Sequence, residues 1–378
     1  MSAPLPRIGI LFSQFAAYHV DRCAAAAARL EGRATVIAVE MAQASAQYAW
    51  KPSGAVAGAE KRVLFVGRRY EEIGRWSRFR AAFAALRGCE TVFIGIGYHE
   101  PEVIALALAL RMAGRRVIVM SESKFDDFPR LLWREWMKSL LISVFSGALV
   151  GGPRHVAYMR FAGFRTRPVM TGYDTVDLAR VRAEAAEKGG GTPDIAWDLR
   201  PFVFVGRFVA KKNIAFLIEA YALYRRKAGA SMRRLVLVGG GELEDEVRAK
   251  IAALGLGEAV EITGFVDAAE VSRRLAEGLA LLIPSTVEQW GLVVNEALAF
   301  ALPVVTSEAP GSRDTLVHNL VNGFVLAPDA PHGWAAAMTA LASDEAAWRR
   351  MSEASRALQP FADTVRFGEA VEALAGFS

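Results

Sequence analysis

Two carboxylates stand eight positions apart in Glu288-Gln-Trp-Gly-Leu-Val-Val-Asn-Glu296, between an apolar run and a helical stretch. The run Leu279–Ile283 reads as a buried strand that stops at Pro284-Ser285. Gly291 lets the backbone come close to a ligand. From Leu292 to Leu302 the pattern is helical, and Pro303 ends it. The first N–H groups of such a helix lack partners within it, and its dipole favours negative charge. Trp290, Gly291, Leu292 and Val293 can therefore seat a phosphate. Glu288 then stands just before the anion and Glu296 about one turn inside the helix, so that one acid can grip a sugar hydroxyl and the other a ribose. Two solvated acids near a helix start are the plainer alternative, since acids are favoured there anyway.

The neighbouring elements carry complementary chemistry. A strand at Phe202–Val205 ends in Gly206-Arg207-Phe208-Val209-Ala210-Lys211-Lys212-Asn213, and a helix follows from Ile214 with Asn213 as a suitable N-cap. Arg207 and Lys212 can converge on one anion, Arg as a bidentate fork and Lys as a point charge, or form an ordinary solvated loop. The strand Leu235–Val238 leads into Gly239-Gly240-Gly241-Glu242 and a helical stretch over Leu243–Leu254. Gly240 and Gly241 mark a tight turn and a close backbone approach. No Gly-Lys-Ser/Thr follows, so this is not a Walker loop, and Glu244 breaks the G-x-G-x-x-G pattern. A further strand, Val260–Val266, leaves through Thr263-Gly264-Phe265-Val266, an exit that either flanks a nucleotide base or simply turns the chain.

In this order the pieces resemble the C-terminal domain of the retaining glycosyltransferases of family four, which have the GT-B fold. After the two-glutamate motif the resemblance continues through Leu302-Pro303-Val304-Val305, Gly311 and Asn322-Gly323-Phe324, covering roughly Arg200 to Pro328. Ala301 departs from the pattern, where many relatives have glycine; alanine is small, and little consequence is expected. The implied architecture is α/β: two Rossmann-like, doubly wound parallel-sheet domains facing a central cleft.

Composition fits two large cores. The chain has 378 residues, 53% apolar and 22% charged. Two cysteines, Cys23 and Cys89, are too few for a disulfide framework and suit a reducing compartment. The N-terminus runs straight into the strand Ile8–Phe12 without the pattern of a signal peptide. The apolar run Leu140–Val150 is too short to span a bilayer. A cytoplasmic protein is expected. Charge is uneven: residues 1–190 hold 27 Lys+Arg against 17 Asp+Glu, and the remainder 18 against 23. Arginine and aromatic residues interleave in Arg75-Trp76-Ser77-Arg78-Phe79-Arg80 and in Arg130-Leu-Leu-Trp133-Arg134-Glu-Trp136-Met-Lys138. This pattern suits an anionic membrane surface or an anionic acceptor. It also suits a helix with tryptophans toward the core and arginines toward water. No nucleic-acid module is present.

The first half also alternates strands and helices. Strands are expected at Ile8–Phe12, Ala34–Val39, Arg62–Val66, Thr91–Ile96, Arg116–Met120 and Pro168–Met170. Ligands bind beyond the carboxyl ends of such strands. His99 follows one such end, and the resemblance implies that it approaches the donor sugar. His19, in the first strand–helix connection, and Ser121 with Glu122, after the fifth strand, are acceptor candidates; Glu122 can instead pair with Lys124. Ser13-Gln14-Phe15-Ala16-Ala17 replaces the glycine-rich turn of many relatives, so no phosphate cradle is expected there. A first domain over residues 1–183, a linker over 184–198 and a second domain over 199–360 are expected, with a last helix at Phe361–Ala375 returning to the first domain.

The resemblance implies a retaining glycosyltransferase that moves a sugar from a nucleotide-sugar donor to a hydroxyl of a glycan, lipid-linked or small-molecule acceptor. Glu288, His99, Arg207 and Lys212 are the catalytic candidates. Gly206, Gly240, Gly241, Thr263, Phe265, Val266, Trp290, Gly291, Leu292, Val293 and Glu296 complete the donor site. No Asp-x-Asp pair occurs, so neither a metal nor another cofactor is expected. A sugar-nucleotide epimerase of the same architecture, or a non-catalytic membrane-associated interaction protein, are the alternatives.

Overall fold

The computed structural model describes residues 4–46, 52–189, 195–229 and 232–377. Residues 1–3 and residues 190–194 of the expected linker lie outside them. The chain divides into two compact units, residues 1–177 with 363–378, and residues 178–362.

In the first unit seven apolar strands form one parallel sheet: β1 (Arg7–Phe12), β2 (Thr35–Ala44), β3 (Glu60–Arg69), β4 (Thr91–Ile94), β5 (Arg116–Ser121), β6 (Gly147–Val150) and β7 (Val169–Thr171). Their order is β3-β2-β1-β4-β5-β6-β7, with every pairing parallel. β1, β4, β5 and β6 are buried on both faces, the environment that continuous apolar runs require. β2 and β3 extend beyond the expected runs. β6 was hidden inside the apolar run Leu140–Val150, which contains the end of one helix and a whole strand. Periodicity alone cannot divide such a run.

In the second unit six strands form another parallel sheet: β8 (Phe202–Val205), β9 (Leu235–Val238), β10 (Val260–Gly264), β11 (Ala280–Ile283), β12 (Val304–Ser307) and β13 (Gly323–Leu326). The order is β10-β9-β8-β11-β12-β13, and every pairing is parallel. Chain direction across the sheet reverses between β8 and β11, the place where a crevice opens beyond the strand ends. Helix Pro331–Ser343 packs on helix Ile214–Ala228, with the fully buried Trp334 edge-on to Phe216 at 5.8 Å.

The break between units comes at 177/178, ahead of the expected linker. Helix Leu178–Glu187 packs on helix Ala268–Glu277 of the second unit, where Ser272 Oγ donates to Glu184 Oε2 at 3.2 Å. The last helical stretch is two pieces, Gln359–Ala362 and Val365–Ala375. Asp363 interrupts them, its carboxylate accepting from the Val365 amide at 3.0 Å. Helix Val365–Ala375 lies on helix Ala17–Arg29 closely enough that a Cβ at Gly368 would sit 2.9 Å from the Ala25 carbonyl oxygen.

The helix after β11 is shorter than expected, Val293–Ala299. Its chain leaves through Ala301 at φ 55°, a left-handed conformation that costs a residue with a Cβ about 1–2 kcal/mol. The alanine at this position therefore has a consequence, contrary to the sequence expectation: glycine would sit there without strain.

Candidate active site

The donor-site candidates of the second unit gather at the carboxyl ends of β8, β9, β10 and β11. Glycine makes this possible. Gly206 donates its amide to the Val238 carbonyl at 3.0 Å, and Gly239 donates to the Gly264 carbonyl at 3.1 Å. Gly239 has φ 132° and lies so close to the Gly206 carbonyl that a Cβ would collide with it. Beyond it, the Phe208 amide donates to the Gly240 carbonyl at 2.8 Å, and a Cβ at Gly241 would come 2.7 Å from the Phe208 carbonyl oxygen. The loops after β8 and β9 are thus packed backbone to backbone.

The loops after β8 and β11, which flank the switch point, are tied together in three ways. The Thr286 amide donates to the Lys211 carbonyl at 2.8 Å. Asn213 Nδ2 donates to the carbonyls of Pro284 at 3.2 Å and Pro328 at 2.9 Å. Lys212 Nζ forms an ion pair with Glu288 Oε2, and Ser285 Oγ lies 3.4 Å from the same oxygen. Asn213 is therefore not the side-chain N-cap the sequence suggested. It takes φ 56° and sends its amide across to the other loop. Lys212 and Glu288, assigned separately to phosphate and sugar, hold each other. Arg207 is exposed, and its guanidinium makes no hydrogen bond or ion pair among the described residues.

A third loop, after β12, clamps the turn that precedes helix Val293–Ala299. The Gly311 amide donates to the Gln289 carbonyl at 3.1 Å, and Ser312 Oγ to the Trp290 carbonyl at 2.8 Å. Ser307 Oγ donates to the Ser285 carbonyl. Trp290 is buried, and its indole Nε1 donates to Asn295 Oδ1 at 2.9 Å; the ring belongs to the core, and only its backbone is left for a ligand. Gly291, at φ 93°, supplies the left-handed step that turns Leu292 and Val293 into the helix start. No site role is legible in the sequence for Ser285, Asn295, Ser307 or Ser312, because small polar letters carry no pattern until their partners are known.

Glu296 lies on the same short helix, near Arg180 and Glu184 of helix Leu178–Glu187. Those two pair at 2.6 Å. Burial, more than the Glu184 charge, pushes the Glu296 carboxyl up to about 7, while Arg180 opposes the shift. At the mouth of β10, Phe265 is 73% exposed. A Cβ at Gly240 would lie 3.2 Å from the Phe265 ring, so that ring and the Gly240 backbone share one surface beyond β9 and β10.

In the first unit the histidines separate. His19 is buried, with Nδ1 accepting from the Ala16 amide at 3.0 Å and its ring 4.2 Å from that of Phe12. Burial, helped by Arg22, holds its pKa well below the usual value, so the ring is neutral. It fixes the first turn of helix Ala17–Arg29. His99 is exposed, its ring folded over Gly97. Ser121 is buried and accepts from the Ser123 amide at 3.2 Å. Glu122 does not pair with Lys124, which is buried between Asp126 and Asp127 at 3.1 and 3.0 Å. It faces Asp174, whose carboxyl is raised well above its usual value by burial and by Glu122, against the pull of Arg22.

The second unit is a doubly wound α/β domain with its polar loops gathered at the topological switch point. Residues 195–358 match the family model for glycosyl transferases group 1. The chain is 29% identical over 182 residues to alpha-D-kanosaminyltransferase of Streptomyces kanamyceticus, covering 48% of this chain and 45% of that protein. It is 32% identical over 143 residues to the amylovoran biosynthesis glycosyltransferase AmsK of Erwinia amylovora, covering 36% and 33%. The chain thus spans less than half the length of these curated relatives. Among solved structures, Anabaena HepE in complex with UDP and glucose matches at a TM-score of 0.71 and 17% identity, covering 98% of this chain and 99% of that one. A sucrose-phosphate synthase from Thermosynechococcus elongatus matches at 0.70 and 16%, covering 98% of this chain and 98% of that one. At these identities the likeness is one of fold, two Rossmann-like parallel-sheet domains of the GT-B class.

Proposed function

We propose that this protein is a retaining glycosyltransferase that takes a sugar from a nucleotide-sugar donor and passes it to a hydroxyl acceptor. The observation that carries this reading is the junction of the loops after β8 and β11 through Lys212 and Glu288, inside the segment that matches the glycosyl transferases group 1 family model. The donor diphosphate is seated beside Arg207 and Lys212 and against the amides at Gly291, Leu292 and Val293. The base rests at the exit of β10, on Thr263, Phe265 and Val266, and Glu296 receives the ribose hydroxyls.

The transfer breaks the bond between the anomeric carbon and a phosphate oxygen and forms a bond to the acceptor oxygen. The acceptor's proton is released, and negative charge grows on the departing diphosphate. Cations and amides aimed at that charge lower the barrier, a single such donor being worth about 10²–10³ in rate. In this arrangement the Lys212–Glu288 pair exchanges partners. The diphosphate takes the ammonium, and the freed Glu288 carboxylate accepts from the donor sugar's hydroxyls. A ready-made pair keeps both charges compensated until the donor arrives.

The test is thermal stabilisation by UDP-, GDP- and dTDP-linked sugars, followed by product analysis with and without acceptor. UDP comes first because HepE was crystallised with UDP and glucose. Stabilisation rises with ligand over its dissociation constant. Stabilisation by one nucleotide class, lost in Arg207→Ala, supports the reading. An epimer formed from donor alone moves the protein to the epimerases, and the absence of binding by any sugar nucleotide removes the enzyme reading.

A further inference from the structure

Helix Leu132–Ile142 of the first unit is built inside out. Its buried side chains are Glu135 and Ile142. Glu135 is held on the body by Tyr158 Oη at 2.6 Å and by Arg130 at 3.2 Å, and within the helix it pairs with Lys138 Nζ at 2.8 Å. The large apolar residues face the other way: Leu132, Trp133, Trp136, Met137, Leu140 and Leu141 are 81%, 58%, 64%, 47%, 52% and 39% exposed. At 100° per residue these six side chains form one unbroken arc of about 180°, opposite Glu135 and Ile142. Arg134 and Lys138 follow directly on the edge of that arc, and the Arg134 guanidinium lies 5.2 Å from the Trp133 ring. The sequence alternative with the tryptophans turned to the core is thereby overturned.

A polar clamp toward the protein and an apolar half-cylinder toward the outside is the reverse of what water selects. An exposed apolar surface of this extent marks an interaction site. The arc is convex and rich in Trp and Leu, with cations along its border. Residues 128–142 carry Arg130, Arg134 and Lys138 against Glu135 alone, a net of +2. Convex shape, interfacial aromatics and positive rim together match a headgroup boundary, where rings lie at the level of the headgroups and lysine and arginine meet anionic lipid. At 11 residues the helix lies in the surface, and no helix among the described residues is long and apolar enough to cross a membrane.

We propose that helix Leu132–Ile142 is an interfacial anchor that lays its apolar half into the boundary of a bilayer containing anionic lipid. The proposal concerns the first unit alone and stands whether or not a nucleotide binds the second. The test is co-sedimentation of the full chain with phosphatidylcholine vesicles, with and without about 30% phosphatidylglycerol. The wild type is expected to pellet with the anionic vesicles and to be released by high salt. Trp133→Ser with Trp136→Ser should reduce the bound fraction roughly tenfold or more, since the inserted apolar area carries the binding. Arg134→Glu should weaken binding to anionic vesicles with no change in circular dichroism, which keeps the test decisive if the double variant misfolds. Failure of the wild type to pellet, or wild-type binding by a folded double variant or by Arg134→Glu, overturns the proposal. So does a dimer in sedimentation velocity that the double variant dissociates while vesicles are ignored: the arc would then cover a second copy.

Discussion

Glu296→Gln isolates a single, partly buried carboxyl. In the folded chain the Glu296 carboxyl is raised from 4.5 to about 7, with burial as the main cause. The unfolded chain then holds fewer protons than the folded one between those two values. The stability that the neutral carboxyl contributes is present below pH 4.5 and is lost as pH rises through about 7. At about 1.36 kcal/mol per pKa unit, the loss reaches roughly 3 kcal/mol. That is a ceiling, because Glu296 keeps some accessible surface and solvent screens the charge. Glutamine is neutral throughout and of the same shape. The assay is urea unfolding of both proteins at intervals from pH 4.5 to 8.5, followed by a probe of the second unit. Wild type and variant should agree at the acid end and diverge toward pH 8, with the variant more stable by one to three kcal/mol, roughly. Parallel curves separated by a constant amount would refute the partly buried, proton-holding environment around Glu296.

The other expectations concern the loops at the switch point and the helix that leads away from them. Arg207→Ala should weaken nucleotide binding about tenfold or more without changing the melting temperature, since the guanidinium is exposed and unengaged among the described residues; calorimetric titration reads this directly. Lys212→Ala leaves Glu288 unpaired and should cost about 1–3 kcal/mol in urea unfolding in addition to its effect on binding. Glu288→Gln should lower kcat more than it raises the nucleotide's dissociation constant, and the opposite split would move Glu288 from sugar to nucleotide. Ala301→Gly should stabilise the protein by about 1 kcal/mol, from relief at φ 55° less the added freedom of glycine in the unfolded chain; a loss of stability would contradict the strain assigned there.

The parallel sheets were legible because buried strands are continuous apolar runs, and those of β8, β9 and β11 stand out between glycine and proline punctuation. β6 was not, since Leu140–Val150 changes from helix to strand within one apolar run. The glycine turns of the candidate site were legible in Gly239, where a Cβ would collide with the Gly206 carbonyl, and in Gly291, at φ 93°. The wiring of the site was not. Lys212 and Glu288 are 76 positions apart, and nothing local says that they meet. Asn213 looks like an N-cap until its side chain is seen to bond Pro284 and Pro328. Trp133 and Trp136 have the spacing of an ordinary amphipathic helix. The direction they face is decided by Glu135 and its partners, which are fixed by Tyr158 on another element.

The seat of the diphosphate between the loops after β8 and β11 is tested most directly by a crystal structure with a nucleoside diphosphate bound. The expected result places its phosphates within hydrogen-bond reach of Arg207, Lys212 and the Leu292–Val293 amides, with the Lys212–Glu288 pair opened. Phosphates bound elsewhere, or seated there with that pair intact, would contradict it.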